Sequence, residues 1–133
     1  MRLIEVPKIG DAARGYLSEV QSRLPFVPQR AYYIYGVPDG VSRGGHAHRT
    51  QEQVFFCLHG TVIFRRMTSQ TTGQRLELSG RRPEQGLYIG PLEWHTMAFM
   101  DNAVVLAFGS ELHDEREYIR DFEEWNRLVV GRA

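Results

Sequence analysis

Short runs rich in β-branched and aromatic residues recur along the chain, at 31–37, 53–58, 61–65, 74–78, 87–89, 95–99 and 103–108. Turn-forming residues separate them: Pro38-Asp39-Gly40, His59-Gly60, Thr72-Gly73, Gly90-Pro91 and Asp101-Asn102. That rhythm predicts an antiparallel all-β sandwich or barrel. Only the C-terminal segment breaks the pattern. Asp114 with Glu117 three residues on forms a capping box, and Tyr118, Phe122, Trp125 and Val129 follow at helical spacing. One amphipathic helix is expected to close the chain, with its apolar stripe packed on the sheet. No internal repeat, low-complexity tract or linker interrupts the 133 residues, so residues 1–133 read as one domain, long enough to bury a core without disulfides.

Composition narrows the function classes. Acidic and basic residues balance at 16 each, so no global field favours nucleic acid or an anionic membrane. Basic and aromatic residues are not interleaved on one evident face, which also argues against nucleic acid. Almost all the positive charge is arginine, with Lys8 the only lysine, and guanidinium favours bidentate phosphate contacts, so any anion binding is expected to be local. Cys57, the single cysteine, lies in the apolar run 54–58 and is expected to be a buried, inert thiol. No signal-peptide pattern and no apolar run of about 18 residues is present, so a cytoplasmic protein is expected.

The chemistry concentrates in Arg43-Gly44-Gly45-His46-Ala47-His48. On an extended strand alternate side chains share a face, which brings His46 and His48 together and turns Ala47 away. The glycines before them let backbone or ligand approach closely. Imidazole titrates near neutrality and, when neutral, ligates metals, so the pair suits either proton transfer or a metal cage.

Around this motif Gly40, His46, His48, Glu52 and Gly60 resemble the first signature of the cupin superfamily, with one residue more in the last gap. Gly86, Pro91, His95 and Asn102 resemble the second more loosely. The likeness implies a cupin-type jelly-roll β-barrel, in which three histidines and Glu52 could hold a divalent transition metal. A closer resemblance is to the metal-independent sugar 3,4-ketoisomerases, the WxcM-like or FdtA-like family. It rests on Leu24-Pro25-Phe26, Arg30 to Tyr35, Arg43 to His48, Gln53, Gly60, Leu87-Tyr88-Ile89 with Trp94, and Asp114-Glu115 leading into Tyr118 to Phe122. Where the family has a tyrosine before that Asp-Glu pair, this chain has His113, which could alter nucleotide contacts.

The resemblance implies an isomerase that moves the keto group of a dTDP-linked 4-keto-6-deoxy hexose from C4 to C3 through an enediol. It needs a base and an acid near neutral pKa, and no metal or redox cofactor. His46 and His48 are the expected catalytic pair, with a tyrosine hydroxyl steadying the enolate oxygen. Tyr32 is the first choice for that tyrosine and Tyr35 the second. Arg43 is expected to clamp the pyrophosphate, with Arg30 also placed at the substrate. Gln53 either binds the sugar or supports His48, Trp94 is either a cavity wall or a core plug, and His95 lines the cavity, ligates a metal or packs. Competing classes are a metal-dependent cupin enzyme and a non-catalytic sugar-binding cupin module. A homodimer is also expected, because open sheet edges need covering, with Arg2 to Val6 as the strand exchanged between copies.

Overall fold

The computed structural model describes residues 1–68 and 72–131. Its strands are β1 (Arg2–Glu5), β2 (Ile9–Asp11), β3 (Gly15–Leu17), β4 (Arg30–Ile34), β5 (Ser42–His48), β6 (Gln53–Met67), β7 (Thr72–Ser79), β8 (Gln85–Ile89), β9 (His95–Gly109) and β10 (Tyr118–Ile119). One helix, α1 (Phe122–Val130), follows. All pairings are antiparallel, as the turn-punctuated pattern implies.

β6 and β9, each 15 residues long, pair along almost their whole length and carry the architecture. This corrects the expectation of separate strands at 53–58 and 61–65, and at 95–99 and 103–108. His59-Gly60 and Asp101-Asn102 do not reverse the chain; they lie beside each other as bulges at which both strands bend. Gly60 has φ 72°, and Asp101 and Asn102 each have φ 58°. A Cβ on Gly60 would stand 2.7 Å from Ala103 Cα and from two carbonyl oxygens, so only glycine fits.

The bend creates two wings. In one, the first half of β6 pairs with β8, which pairs with β1, while the second half of β9 pairs with β4. In the other, the second half of β6 pairs with β7, and the first half of β9 pairs with β5, which pairs with β10. Phe55, Phe64, Leu87, Phe99 and Val105 are fully buried in one cluster between the wings. Each such side chain contributes about 1.5–3 kcal/mol. Cys57 belongs to the same cluster, its thiol donating to the His59 carbonyl at 3.1 Å and held above its usual pKa by burial. The connection between β6 and β7, with its Thr72-Gly73 signal, falls partly outside the described residues.

The closing helix begins later than the sequence predicts. Asp114 caps only a 3₁₀ turn at Glu115–Glu117, whereas Asp121 accepts from the Glu123 and Glu124 amides and starts α1. Tyr118, expected on the helix, instead lies on β10 against β5. Trp125 of α1 packs with Trp94, Ala47 and Ile119 on the outer face of the histidine strand. The N-terminal strand β1 pairs with the chain's own β8, Leu3 opposite Leu87.

Candidate active site

The histidine strand reaches its geometry through a bulge. Arg43 pairs with Met97 and Gly44 with Thr96, but His46, not Gly45, then pairs with His95. Gly45 is the extra residue, and both glycines have positive φ, 84° and 73°. Arg43 and His46 are three apart and would face opposite ways on a regular strand, yet both line one cavity. Gly44 is further required because a Cβ there would meet the His95 carbonyl at 2.9 Å.

That cavity, about 610 Å³, opens between the wings. Tyr32 and Arg30 enter it from β4, Gln53 from β6, His95 from β9 and Tyr118 from β10. The ring centroids of His46 lie 4.9 Å from His48 and 5.1 Å from His95. Burial, then the neighbouring His95, pushes the His46 pKa down to about 4. Burial, then His46, takes His48 down to about 3, and burial lowers His95 as well. At neutral pH all three rings are therefore uncharged. His46 Nδ1, His48 Nε2, His95 Nε2 and Gln53 Oε1 are buried without a hydrogen-bond partner. Three of these residues, His46, His95 and Gln53, line the cavity, where a bound polar ligand would satisfy their unmet atoms.

The remaining polar groups are tied together. Gln53 Nε2 donates to the Tyr32 hydroxyl at 2.9 Å, which leaves the phenolic hydrogen free to donate into the cavity. Burial holds Tyr32 up at about 12, so it acts as a donor and not as a base. Arg30 stacks on the Tyr32 ring at 4.5 Å and donates from both terminal nitrogens to the Tyr118 hydroxyl, each at 3.3 Å. Arg43 and Arg120 stand at the mouth, Arg120 paired with Glu115 at 2.7 Å.

Comparisons with known proteins agree with this geometry. The FdtA profile (WxcM-like, C-terminal) matches residues 1–130. The chain belongs to the FdtA family. The TDP-4-oxo-6-deoxy-alpha-D-glucose-3,4-oxoisomerase of Aneurinibacillus thermoaerophilus is 33% identical over 132 residues, which cover 97% of this chain and 92% of that protein. QdtA, a sugar 3,4-ketoisomerase from Thermoanaerobacterium thermosaccharolyticum solved with TDP, superposes with TM-score 0.90 at 35% identity, covering 98% of this chain and 95% of that chain. A variant of it, 34% identical with TM-score 0.90, was solved with TDP-4-keto-6-deoxyglucose; the match covers 98% of this chain and 94% of that one. The cupin-type jelly roll with one C-terminal helix is thus the fold of this FdtA-family chain.

Within the FdtA-family site the expected residues separate. His46, Tyr32, Arg30, Arg43, Tyr35, Gln53 and His95 all line the cavity. Tyr35 lies at its rim, 68% exposed and 5.6 Å from the Tyr33 ring. His48 sits behind His46, only 2% exposed. Trp94 is the correction among the expected substrate contacts: it is buried against Trp125 and Phe122, at 5.7 and 5.3 Å, and does not reach the cavity. Support for His48 comes from Gln51, whose Nε2 is 3.1 Å from His48 Nδ1, and not from Gln53. Glu52 points the other way and accepts from Tyr88 at 2.7 Å. Glu52 therefore does not join the imidazoles, and among the described residues no group of three His, Cys, Asp or Glu is arranged to hold a metal. The residues do not fit a cupin metal centre. His113 is exposed, its ring 5.6 Å from that of Tyr118. Tyr118 and Arg120 escaped sequence reading, although Arg120 follows two residues after Tyr118 as expected of neighbours on one strand face.

Proposed function

We propose that this chain is a sugar-nucleotide 3,4-ketoisomerase acting on a TDP-linked 4-keto-6-deoxy hexose. The observation that carries the reading is the pair of neutral, desolvated imidazoles beside a protonated tyrosine hydroxyl, in a cavity edged by two arginines. The 33% identity to the Aneurinibacillus thermoaerophilus oxoisomerase supports the substrate class.

His46 removes the proton from C3, and the electrons of that bond form the C3–C4 double bond while the C4 carbonyl oxygen becomes the enolate. Tyr32 donates a hydrogen bond to that oxygen, which favours the charged intermediate over the ketone. His46, now protonated, returns a proton at C4 while the hydroxyl proton on O3 passes to O4, leaving the ketone at C3 and the imidazoles neutral as they began; His48, behind His46, supports the ring that moves the proton. The substrate is neither oxidised nor reduced overall. Arg43 and Arg120 hold the diphosphate, and Gln53 Oε1 accepts from a sugar hydroxyl.

The chain works as a homodimer, with copies abutting along the open edge of β1, where Leu3 is 40% exposed. It acts in the cytoplasm, among nucleotide-activated sugars; no helix among the described residues is long and apolar enough to cross a membrane. Incubating metal-stripped protein with the TDP-4-keto sugar in D₂O and following the ring carbons by NMR tests the reading. The carbonyl signal moves from C4 to C3 with deuterium entering at C4; an unchanged 4-keto sugar overturns it.

A further inference from the structure

Gln51 does not line the cavity, is 2% exposed, and sits between two groups of fixed hydrogen-bonding character. Arg30 Nη1 approaches its Oε1 at 3.5 Å, and its Nε2 lies 3.1 Å from His48 Nδ1. A guanidinium offers no acceptor, so the amide oxygen must face Arg30 and the NH₂ must face His48. The reversed amide would set donor against donor at the arginine. Gly109 leaves the room this needs, since a Cβ there would stand 2.6 Å from Gln51 Oε1. The Gln51 backbone amide, donating to Glu117 Oε1 at 2.6 Å, fixes the segment from the other side.

An NH₂ group only donates, so His48 Nδ1 must present its lone pair. In a neutral ring the hydrogen then sits on Nε2, the atom buried without a partner. His95 is held in the opposite sense: its Nδ1 hydrogen goes to the Glu93 carbonyl at 3.0 Å, leaving a lone pair on Nε2. The two neighbouring strands thus offer a hydrogen at one ring and a lone pair at another, with His46 between them.

We propose that Gln51 is a positioning residue that locks His48 as the neutral Nε2–H tautomer, making His48 the hydrogen-bond donor of the pair and leaving the proton transfer to His46. Arg30 acts one step further back by orienting the amide. The donor role rests on the isomerase reading; the tautomer does not.

Long-range ¹H–¹⁵N correlation spectra of the ¹⁵N-labelled full chain at pH 7 read the tautomer without substrate, the His48 signals being identified by their loss in His48→Asn. The wild type is expected to carry its hydrogen on Nε2. Gln51→Glu replaces the donor with an acceptor, so the hydrogen moves to Nδ1 and kcat falls roughly 100-fold or more, the scale of impaired acid–base catalysis, with KM little changed. A wild-type His48 protonated on Nδ1, an unchanged tautomer in Gln51→Glu, or a moved hydrogen with full kcat each overturns the proposal. The wild-type spectrum decides the tautomer even if Gln51→Glu does not fold. A protein that turns over no 4-keto sugar nucleotide yet shows the Nε2–H ring overturns the isomerase reading and the donor role, and leaves the tautomer standing.

Discussion

Tyr118 and His48 lie directly opposite each other across the β5–β10 pair, with ring centroids 4.5 Å apart. The short strand β10 therefore closes the site from a part of the chain 70 residues beyond the histidine. It also anchors Arg30, whose two terminal nitrogens both donate to the Tyr118 hydroxyl.

Tyr118→Phe removes that acceptor and leaves a part-buried guanidinium short of a partner. A loss of about 1–3 kcal/mol is expected, the cost of an unmet polar group. Urea denaturation with an unchanged m-value and a lower midpoint measures it.

His46→Asn is expected to abolish hydrogen exchange at C3 of the sugar while TDP binds as before, because a base acts on chemistry more than on ground-state contacts. His48→Asn slows turnover strongly too. Mass spectrometry of substrate recovered from D₂O checks both, and wild-type exchange in His46→Asn would remove that residue as the base.

The Arg43 side chain makes no hydrogen bond or ion pair among the described residues and lines the cavity. Arg43→Ala is expected to weaken TDP binding by about 1.5–3 kcal/mol, one charge-assisted contact, with Arg43→Lys recovering part. Calorimetric titration reads this directly.

The pH dependence of stability follows from the depressed imidazoles. In the unfolded chain His48 binds a proton below about pH 6.5, whereas in the fold it stays neutral down to about 3. Between those values the unfolded state holds more protons, so stability is complete above 6.5 and falls as the pH drops towards 3. His48 alone costs about 3 kcal/mol at pH 4, and His46 adds to the loss. Melting temperatures that stay level from pH 7 to pH 4 would contradict the buried neutral rings, and His48→Asn should flatten the slope.

Trp94→Ala should act on stability and not on substrate. Removing a buried indole costs about 3–5 kcal/mol. The KM of whatever protein folds should stay near the wild-type value, since the ring faces Trp125 and not the cavity.

The parts of this site that obey local rules could be read from the chain alone. Alternation paired His46 with His48, and the family resemblance put Tyr32 first among the tyrosines of 30–35. What depended on distant partners could not. Asp114 and Asp121 each precede a glutamate by three residues, so both fit a capping box, and only pairing with β5 drew Tyr118–Ile119 into a strand and passed the cap to Asp121. Trp94 directly precedes His95 and Gln53 follows His48 by five residues, yet α1 covers the one while the other lines the cavity. Gln51 carries no signal at all in the sequence, because its role exists only once Arg30 arrives from β4.

Strand parity behaves like a reading frame, and Gly45 is a residue the frame does not count. Everything downstream of it, both imidazoles included, keeps its face only because the sheet skips one position there. A valine at 45, which cannot hold φ 73°, pushes the strand towards even pairing, and every later side chain then turns over: Ala47 inward, the histidines out. Removing Gly45 altogether leaves His46 opposite His95 with its face unchanged. At this one place, losing a residue is expected to be gentler than changing it.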